Sequence, residues 1–204
     1  MEIIIMRTHF ISRKPENLDW TQIPSVNIDH QLWTPPVDIT AKAQICYDDE
    51  ALYVRLTAKE ADIRAEGTGP LDAPCADSCL EFFFSPCEGD NRYFNIEFNP
   101  NCCIYLGIGT SVRDLIRLIP EETDILLPEA VRTEDGWYIT YRVPYYFIRR
   151  FFPDFKAESG KTMRANFYKC GDLTVKKHYF AWNPIVGEEM SFHRTCDFGM
   201  LEFE

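Results

Sequence analysis

The sequence has no surplus of positive charge. Its 204 residues include 21 Lys and Arg against 32 Asp and Glu, so the formal net charge is -11 at neutral pH. A nucleic-acid-binding protein needs basic residues against the phosphate backbone, and an anionic membrane surface attracts the same residues. The charge therefore argues against nucleic acid and membrane as partners, and it fits a neutral or cationic one.

Long apolar runs and targeting signals are also missing. No apolar stretch approaches the roughly 20 residues that cross a membrane as a helix. The short run Ile3–Met6 follows the acidic Glu2 and is too short for the apolar part of a signal peptide. We therefore expect a cytoplasmic protein.

Sequence signals for metal binding and catalysis are scarce. The eight cysteines form no Cys-x-x-Cys pair of the kind that binds zinc, and we expect reduced, mostly buried thiols. There is no Gly-x-Ser-x-Gly elbow, phosphate-binding loop or His-Glu-x-x-His helix. These absences favour a protein that is not an enzyme.

Repeats, low-complexity tracts and Ser/Gly-rich linkers are absent as well. A length of 204 residues suits one large all-β domain and suffices to bury a core without cross-links. We predict a single domain over residues 1–204.

The pattern that is present is a period of two in short segments. In the segment 93–99, apolar residues alternate with Asn95 and Glu97, as in a strand with two different faces. Hairpins are predicted at 43–58, around an acidic turn, and at 129–143, around an Asp-Gly turn. Further strands are predicted at 80–84, 104–108, 163–169, 179–182 and 200–203, and a short helix at 144–152. The pattern predicts an all-β fold, an antiparallel, jelly-roll-like β-sandwich with one or two short helices.

Several segments in a fixed order resemble a known family. They are Asp77–Phe83, Tyr93–Asn99, Asn166–Asp172, Ala181–Pro184, Phe192–Arg194 and Phe198-Gly199, preceded by a hairpin at 47–54. Together they resemble the family 9 carbohydrate-binding modules and the related free-standing family 9-like domains, over roughly residues 20–204. The resemblance implies a β-sandwich with a sugar site on one side, and often structural calcium.

The resemblance also implies site residues. In the family, two aromatic rings clamp the terminal sugar, and a carboxylate with nearby polar side chains binds its hydroxyl groups. The carboxylate position falls on Glu81, the polar positions on Asn95 and Glu97, and the second aromatic position on Phe192. The first aromatic position falls near Cys75, where the sequence has no ring.

Either of two tryptophans could supply the missing ring. Trp182 and Trp33 are the candidates, and we include Trp182 in the predicted ligand-binding set. Aromatic side chains suit a sugar site on general physical grounds, because a sugar has an apolar C–H face that stacks on aromatic rings. Its hydroxyl groups pair with polar side chains, most strongly with charged acceptors.

Each predicted site residue also has a simpler interpretation. Glu81, Asn95 and Glu97 could lie on a solvated sheet face, while Trp182 and Phe192 could pack the end of the sandwich. The acidic cluster Asp48-Asp49-Glu50 could ligate calcium through its oxygens, or it could simply form a hairpin turn.

The predicted function is non-catalytic carbohydrate binding in polysaccharide catabolism. The ligand would be a saccharide, and a separate glycoside hydrolase is a candidate partner. One alternative is a protein-interaction module on the same fold with a degenerate sugar site, which an exposed apolar patch would indicate. A second alternative is a glycoside hydrolase that uses Glu81 and Glu97 as its carboxyl pair.

Overall fold

The computed structural model describes residues 6–119, 125–187 and 189–204. Within these ranges the chain forms fourteen strands, one α-helix and three single-turn 3-10 helices. The strands are β1 (Thr8–Arg13), β2 (Ser25–Ile28), β3 (His30–Gln31), β4 (Thr40–Tyr47), β5 (Ala51–Lys59), β6 (Cys79–Ser85), β7 (Tyr93–Phe98), β8 (Ile104–Gly109), β9 (Ile116–Arg117), β10 (Glu129–Thr133), β11 (Gly136–Pro144), β12 (Thr162–Gly171), β13 (His178–Ala181) and β14 (Gly199–Phe203). The helices are α1 (Tyr145–Phe151) and the 3-10 turns Trp20–Gln22, Pro74–Ala76 and Thr195–Asp197. None of the helices in the described ranges has the length and apolarity that a membrane crossing requires.

Strand β1 joins two groups of strands. One group runs from β10 to β4 in the sheet order, and the other runs from β14 to β9. Its first part pairs with β14 from Thr8 to Ile11, and its end pairs with β4 at Ser12 and Arg13. Both pairings are parallel, whereas the other described strand pairs are antiparallel. The strands follow the order β10-β11-β5-β4-β1-β14-β12-β6-β7-β8-β9 in one curled sheet. The predicted all-β fold with a short helix is confirmed, but the strictly antiparallel prediction is wrong because β1 runs in the same direction as both of its neighbours.

Both predicted hairpins are present. β4 and β5 pair antiparallel around the acidic turn, and β10 and β11 pair around Asp135-Gly136. Gly136 lies opposite Lys59, where an added Cβ would stand 2.0 Å from the carbonyl oxygen of Ala58. Close approach of two backbones therefore requires glycine at this turn.

The main core lies between these two groups of strands. Every second side chain of the central strands packs into it. Phe82 on β6 stacks on Phe84 at 4.7 Å and on Phe167 of β12 at 4.8 Å between ring centroids. Trp182 belongs to this core, with its ring 5.7 Å from that of Phe167. Burial of each such ring stabilises the fold by about 1.5–3 kcal/mol.

The other face of β6, β7 and β12 is also buried. Loops cover it and create a second apolar cluster, which includes Phe83, Tyr93, Tyr168, Phe192 and Phe198. The polar side chains that alternate with core residues on these strands therefore lie beneath loops and not in solvent. This covered face carries the candidate site.

Candidate functional site

Two carboxyl groups lie side by side on the covered face. Glu81 on β6 is the cross-strand partner of Glu97 on β7, and such partners have Cβ atoms about 4.5–5.5 Å apart. Glu81 is 2% exposed and Glu97 is 7% exposed. They form the floor of a cleft of about 370 Å³, a size typical of small-molecule sites. Residues that line the cleft with them include Trp33, Cys75, Val112, Cys170, Asp172, Tyr179, Glu189, Met190, Ser191, Phe192 and His193.

One wall of the cleft is aromatic. The rings of Trp33 and Phe192 have centroids 5.4 Å apart, and the ring of Tyr179 stands 5.4 Å from Trp33 in an edge-on arrangement. Phe192 in turn stacks on the buried Tyr168 at 4.1 Å with an interplanar angle of 10°. A rigid apolar wall thus stands beside the carboxyl floor.

Trp33 has an unusual backbone conformation. Its φ angle is 56°, and the amide of Thr34 donates to the carbonyl of Leu32 at 2.7 Å across it. This is the rarer γ-turn with positive φ, which is strained for a bulky residue. The amide of Leu32 also donates to the carbonyl of Tyr179 at 2.9 Å, so the turn is tied to the strand that carries the neighbouring ring. Strain of this kind concentrates at functional sites.

The carboxyl pair holds its protons more tightly than ordinary glutamates do. Burial raises the pKa of Glu81 well above 4.5, and the neighbouring Glu97 raises it further. Burial also raises the pKa of Glu97 to about 7, although the amide of Asn95 and the guanidinium of Arg117 lower it. Because the two groups interact, they titrate as a pair, and the pair retains proton near neutral pH.

Asn95 lies beside the floor and does not line the cleft. It shares the face of Glu97 on β7, pairs across the ladder with Phe83 and is 1% exposed. Neither its amide nitrogen nor its amide oxygen has a hydrogen-bond partner of good geometry among the described residues. The amide nevertheless interacts with the carboxyl group of Glu97 and lowers its pKa.

Two thiols support the floor. The ligand atoms of Cys79, Glu81 and Cys170 lie within 4.8 Å of one another and could together hold a metal ion. Burial raises the pKa of Cys79 to about 12, so its thiol stays protonated. The thiol of Cys170 donates to Oε1 of Glu81 at 3.0 Å. Protonated thiols do not suit calcium, which takes oxygen ligands.

The acidic cluster proposed for calcium forms a hairpin turn. Oδ1 of Asp48 accepts from the amides of Glu50 and Ala51, and Oδ2 accepts from the hydroxyl of Tyr53. Asp49 pairs with Arg13 at 2.8 Å. These bonds support the simpler interpretation of the cluster as a hairpin turn, and a calcium ion there stays a prediction.

The basic residues beside the aromatic wall place no positive charge on the cleft floor. Burial lowers the pKa of His193 to about 4, and its Nδ1 is 2.7 Å from the hydroxyl of Tyr93. Arg194 does not line the cleft; it pairs with Asp197 at 2.6 Å and lies 3.8 Å from Glu189. The imidazole is therefore neutral at pH 7, and the guanidinium stabilises a loop.

The structure brings together Glu81, Glu97 and Phe192 from the predicted set. It places Asn95 next to the floor and Trp182 in the main core, because the side chain of Trp182 points to the opposite face of the sheet. Trp33 occupies the wall instead. No periodicity in the loop around Trp33 could have indicated this, since only the pairing of β3 with β13 brings the loop to the cleft.

Comparison with known proteins agrees with this architecture. The family model described as Carbohydrate-binding family 9 matches residues 10–203. A candidate carbohydrate-binding protein from Bacteroides uniformis is 26% identical, with a TM-score of 0.85 over 98% of this chain and 100% of that one. No curated protein gave a significant match.

Two further solved structures share the fold. Both are family 9 modules from Caldicellulosiruptor kristjanssonii at 12% identity. One is in complex with cellotriose, with a TM-score of 0.72 over 97% of this chain and 94% of that one. The other is in complex with glucose, with a TM-score of 0.70 over 97% and 96%. Because the family model spans nearly the whole sequence, the chain belongs to carbohydrate-binding family 9.

Proposed function

We propose that this protein binds a saccharide non-covalently in the cleft above Glu81 and Glu97. The observation that carries the proposal is the union of an aromatic wall and a carboxyl floor in one cleft of about 370 Å³. Family membership supports it, and so do the glucose and cellotriose complexes of two structural neighbours.

The two parts of the cleft match the two sides of a sugar. The C–H face of the ring would stack on Trp33, with Phe192 and Tyr179 behind it. The hydroxyl groups would meet Glu81 and Glu97, and a carboxyl pair that retains a proton can both donate and accept hydrogen bonds. No bond is made or broken in this process.

The geometry gives less support to a glycoside hydrolase. Glu81 and Glu97 approach a ligand from the same side, since both rise from adjacent strands of the floor. Glycoside hydrolysis instead needs two carboxyl groups that flank the glycosidic bond. We therefore propose a binding protein and not a hydrolase. We further propose that it acts in the cytoplasm, in polysaccharide catabolism, beside a separate glycoside hydrolase. It would need no cofactor of its own.

Replacement of Trp33 by alanine is expected to weaken saccharide binding about tenfold or more. An aromatic contact contributes about 0.5–1.5 kcal/mol beyond the apolar area it buries, and 1.4 kcal/mol is a factor of ten. Isothermal titration against glucose, cellotriose and a panel of other mono- and oligosaccharides measures the effect.

Trp20→Ala provides the matched control, because Trp20 is also half-buried but lies in a 3-10 turn away from the cleft. Its affinity should equal that of the unmodified protein. Equal weakening by both substitutions would contradict the proposed site. If the unmodified protein binds no sugar in the panel, the interaction-module alternative replaces the proposal.

A further inference from the structure

Acidic side chains predominate among the charged residues that line the cleft. Glu81 and Glu97 form the floor, and Asp172 and Glu189 also line the cleft. Asp172 accepts from the hydroxyl of Tyr179 at 2.5 Å, and Glu189 lies 3.8 Å from the guanidinium of Arg194. Among the described residues that line the cleft, none is lysine or arginine, and His193 is neutral at pH 7 because burial lowers its pKa to about 4. A ligand in this cleft therefore meets only acidic and neutral groups.

Glu97 is the clearest unpaired group on the floor. It lines the cleft, is 7% exposed and forms no ion pair within the described part of the chain, although the amide of Asn95 and the charge of Arg117 lower its pKa. Glu81 accepts one bond, from the thiol of Cys170 at 3.0 Å. Both amide atoms of Asn95 beside them also lack partners among the described residues. Because burial disfavours the charged form of both carboxyl groups, the pair retains a proton near neutral pH. A ligand that donates hydrogen bonds and carries positive charge can take the place of that proton.

The nearby cations are engaged elsewhere. Lys169 lies on the opposite face of β12 and pairs with Glu60 at 3.1 Å. Arg117 lowers the pKa of Glu97, but its guanidinium donates to backbone carbonyl groups and lies over the ring of Tyr105 at 4.6 Å. Neither side chain lines the cleft or occupies the space above the floor.

We propose that the cleft selects an amino sugar in its ammonium form over the corresponding neutral sugar. This inference rests on the proposed function and names its ligand class. The ammonium group would donate charge-assisted hydrogen bonds to Glu81 and Glu97. The sugar ring would stack on Trp33, and the adjacent positive charge would also be attracted to the aromatic wall.

The same arrangement makes binding depend on pH. An ammonium ligand displaces the proton that the pair Glu81 and Glu97 retains, so its affinity should increase from pH 5 to pH 7. Of the other titratable groups near Glu97, Cys75 and Tyr105 stay protonated over this range because burial raises their pKa. Lys177 lies outside the floor, over the ring of Tyr179 at 5.4 Å.

Isothermal titration with three matched sugars tests the inference. Glucosamine differs from glucose by an ammonium group in place of one hydroxyl, and N-acetylglucosamine carries the same nitrogen without charge. At pH 7 and low salt, glucosamine should bind at least tenfold more tightly than either neutral sugar. Glu97→Gln should reduce this preference to about threefold or less. Glu134→Gln, which removes an exposed carboxylate from the distant β10–β11 turn, should leave it unchanged.

Each outcome has a distinct meaning. If glucose binds as tightly as glucosamine, the amino-sugar inference is overturned while the proposed function stands. If no sugar of any kind binds, the proposed function itself fails. A glucosamine preference that survives in both Glu81→Gln and Glu97→Gln, with folding verified by circular dichroism, would also overturn the inference because it would locate the charge recognition elsewhere.

Discussion

Substitution of Glu60 by glutamine is expected to lower the free energy of unfolding by about 3–5 kcal/mol. Oε1 of Glu60 accepts from Nε1 of Trp137 at 2.8 Å and pairs with Nζ of Lys169 at 3.1 Å, and Oε2 accepts from the hydroxyl of Ser78 at 3.0 Å. Lys169 has no exposed surface. Glutamine retains the shape of the side chain but leaves the ammonium group without an opposite charge in the interior.

His178 cannot compensate for that loss. Its Nε2 lies 2.8 Å from Nζ of Lys169, and its Nδ1 lies 2.7 Å from the carbonyl oxygen of Lys176. Burial and the adjacent ammonium group lower the pKa of His178 to about 4, so the ring is neutral and accepts a hydrogen bond from Lys169. The buried ammonium group therefore depends on Glu60 for its only negative partner among the described side chains.

Urea unfolding at pH 7 measures the change, and Asp135→Asn is the matched control. Asp135 pairs with Lys59 at 2.5 Å on the surface, where such a pair contributes about 1 kcal/mol or less. The double substitution Glu60→Gln with Lys169→Met should recover part of the loss, because it removes the unpaired charge. A Glu60→Gln loss no larger than that of Asp135→Asn would contradict the account.

Glu97→Gln is expected to stabilise the ligand-free protein by about 3 kcal/mol at pH 8. Burial raises the pKa of Glu97 from 4.5 to about 7, so the folded state binds this proton more tightly than the unfolded state. The stability that comes from the protonated carboxyl group is complete below pH 4.5 and is lost as the pH rises through about 7. One pKa unit corresponds to about 1.4 kcal/mol, and glutamine stays neutral throughout.

Urea unfolding at pH 5 and at pH 8 tests this result. The unmodified protein should lose stability between the two values, and Glu97→Gln should lose much less. Glu134→Gln should follow the unmodified protein, because its carboxylate is exposed. An unchanged pH dependence in Glu97→Gln would show that the carboxyl group is solvated in the folded state. The expected result means that the cleft floor reduces stability in favour of ligand binding.

The alternation of side chains predicted most of the strands and part of the site. Phe94, Ile96 and Phe98 face the main core, as their spacing requires, and the hairpin at Gly136 follows from its turn chemistry. The strands predicted at 80–84 and 93–99 also placed Glu81 and Glu97 on consecutive strands, and the family resemblance marked both as site positions. These features depend on short-range geometry, and a sequence pattern reports short-range geometry directly.

Only the tertiary structure decided the rest. β1 pairs parallel on both sides, and no local pattern encodes the direction of strands that are distant in sequence. The alternation on β7 was equally compatible with a polar face exposed to solvent. Loops cover that face instead, and the resulting burial raises the pKa of Glu97. Trp33 reaches the aromatic wall, and Trp182 the core, because long-range pairing sets where each ring points. The sequence by itself thus determined which strands form and which carboxyl groups are neighbours, whereas packing between distant segments decided which rings and charges meet in the cleft.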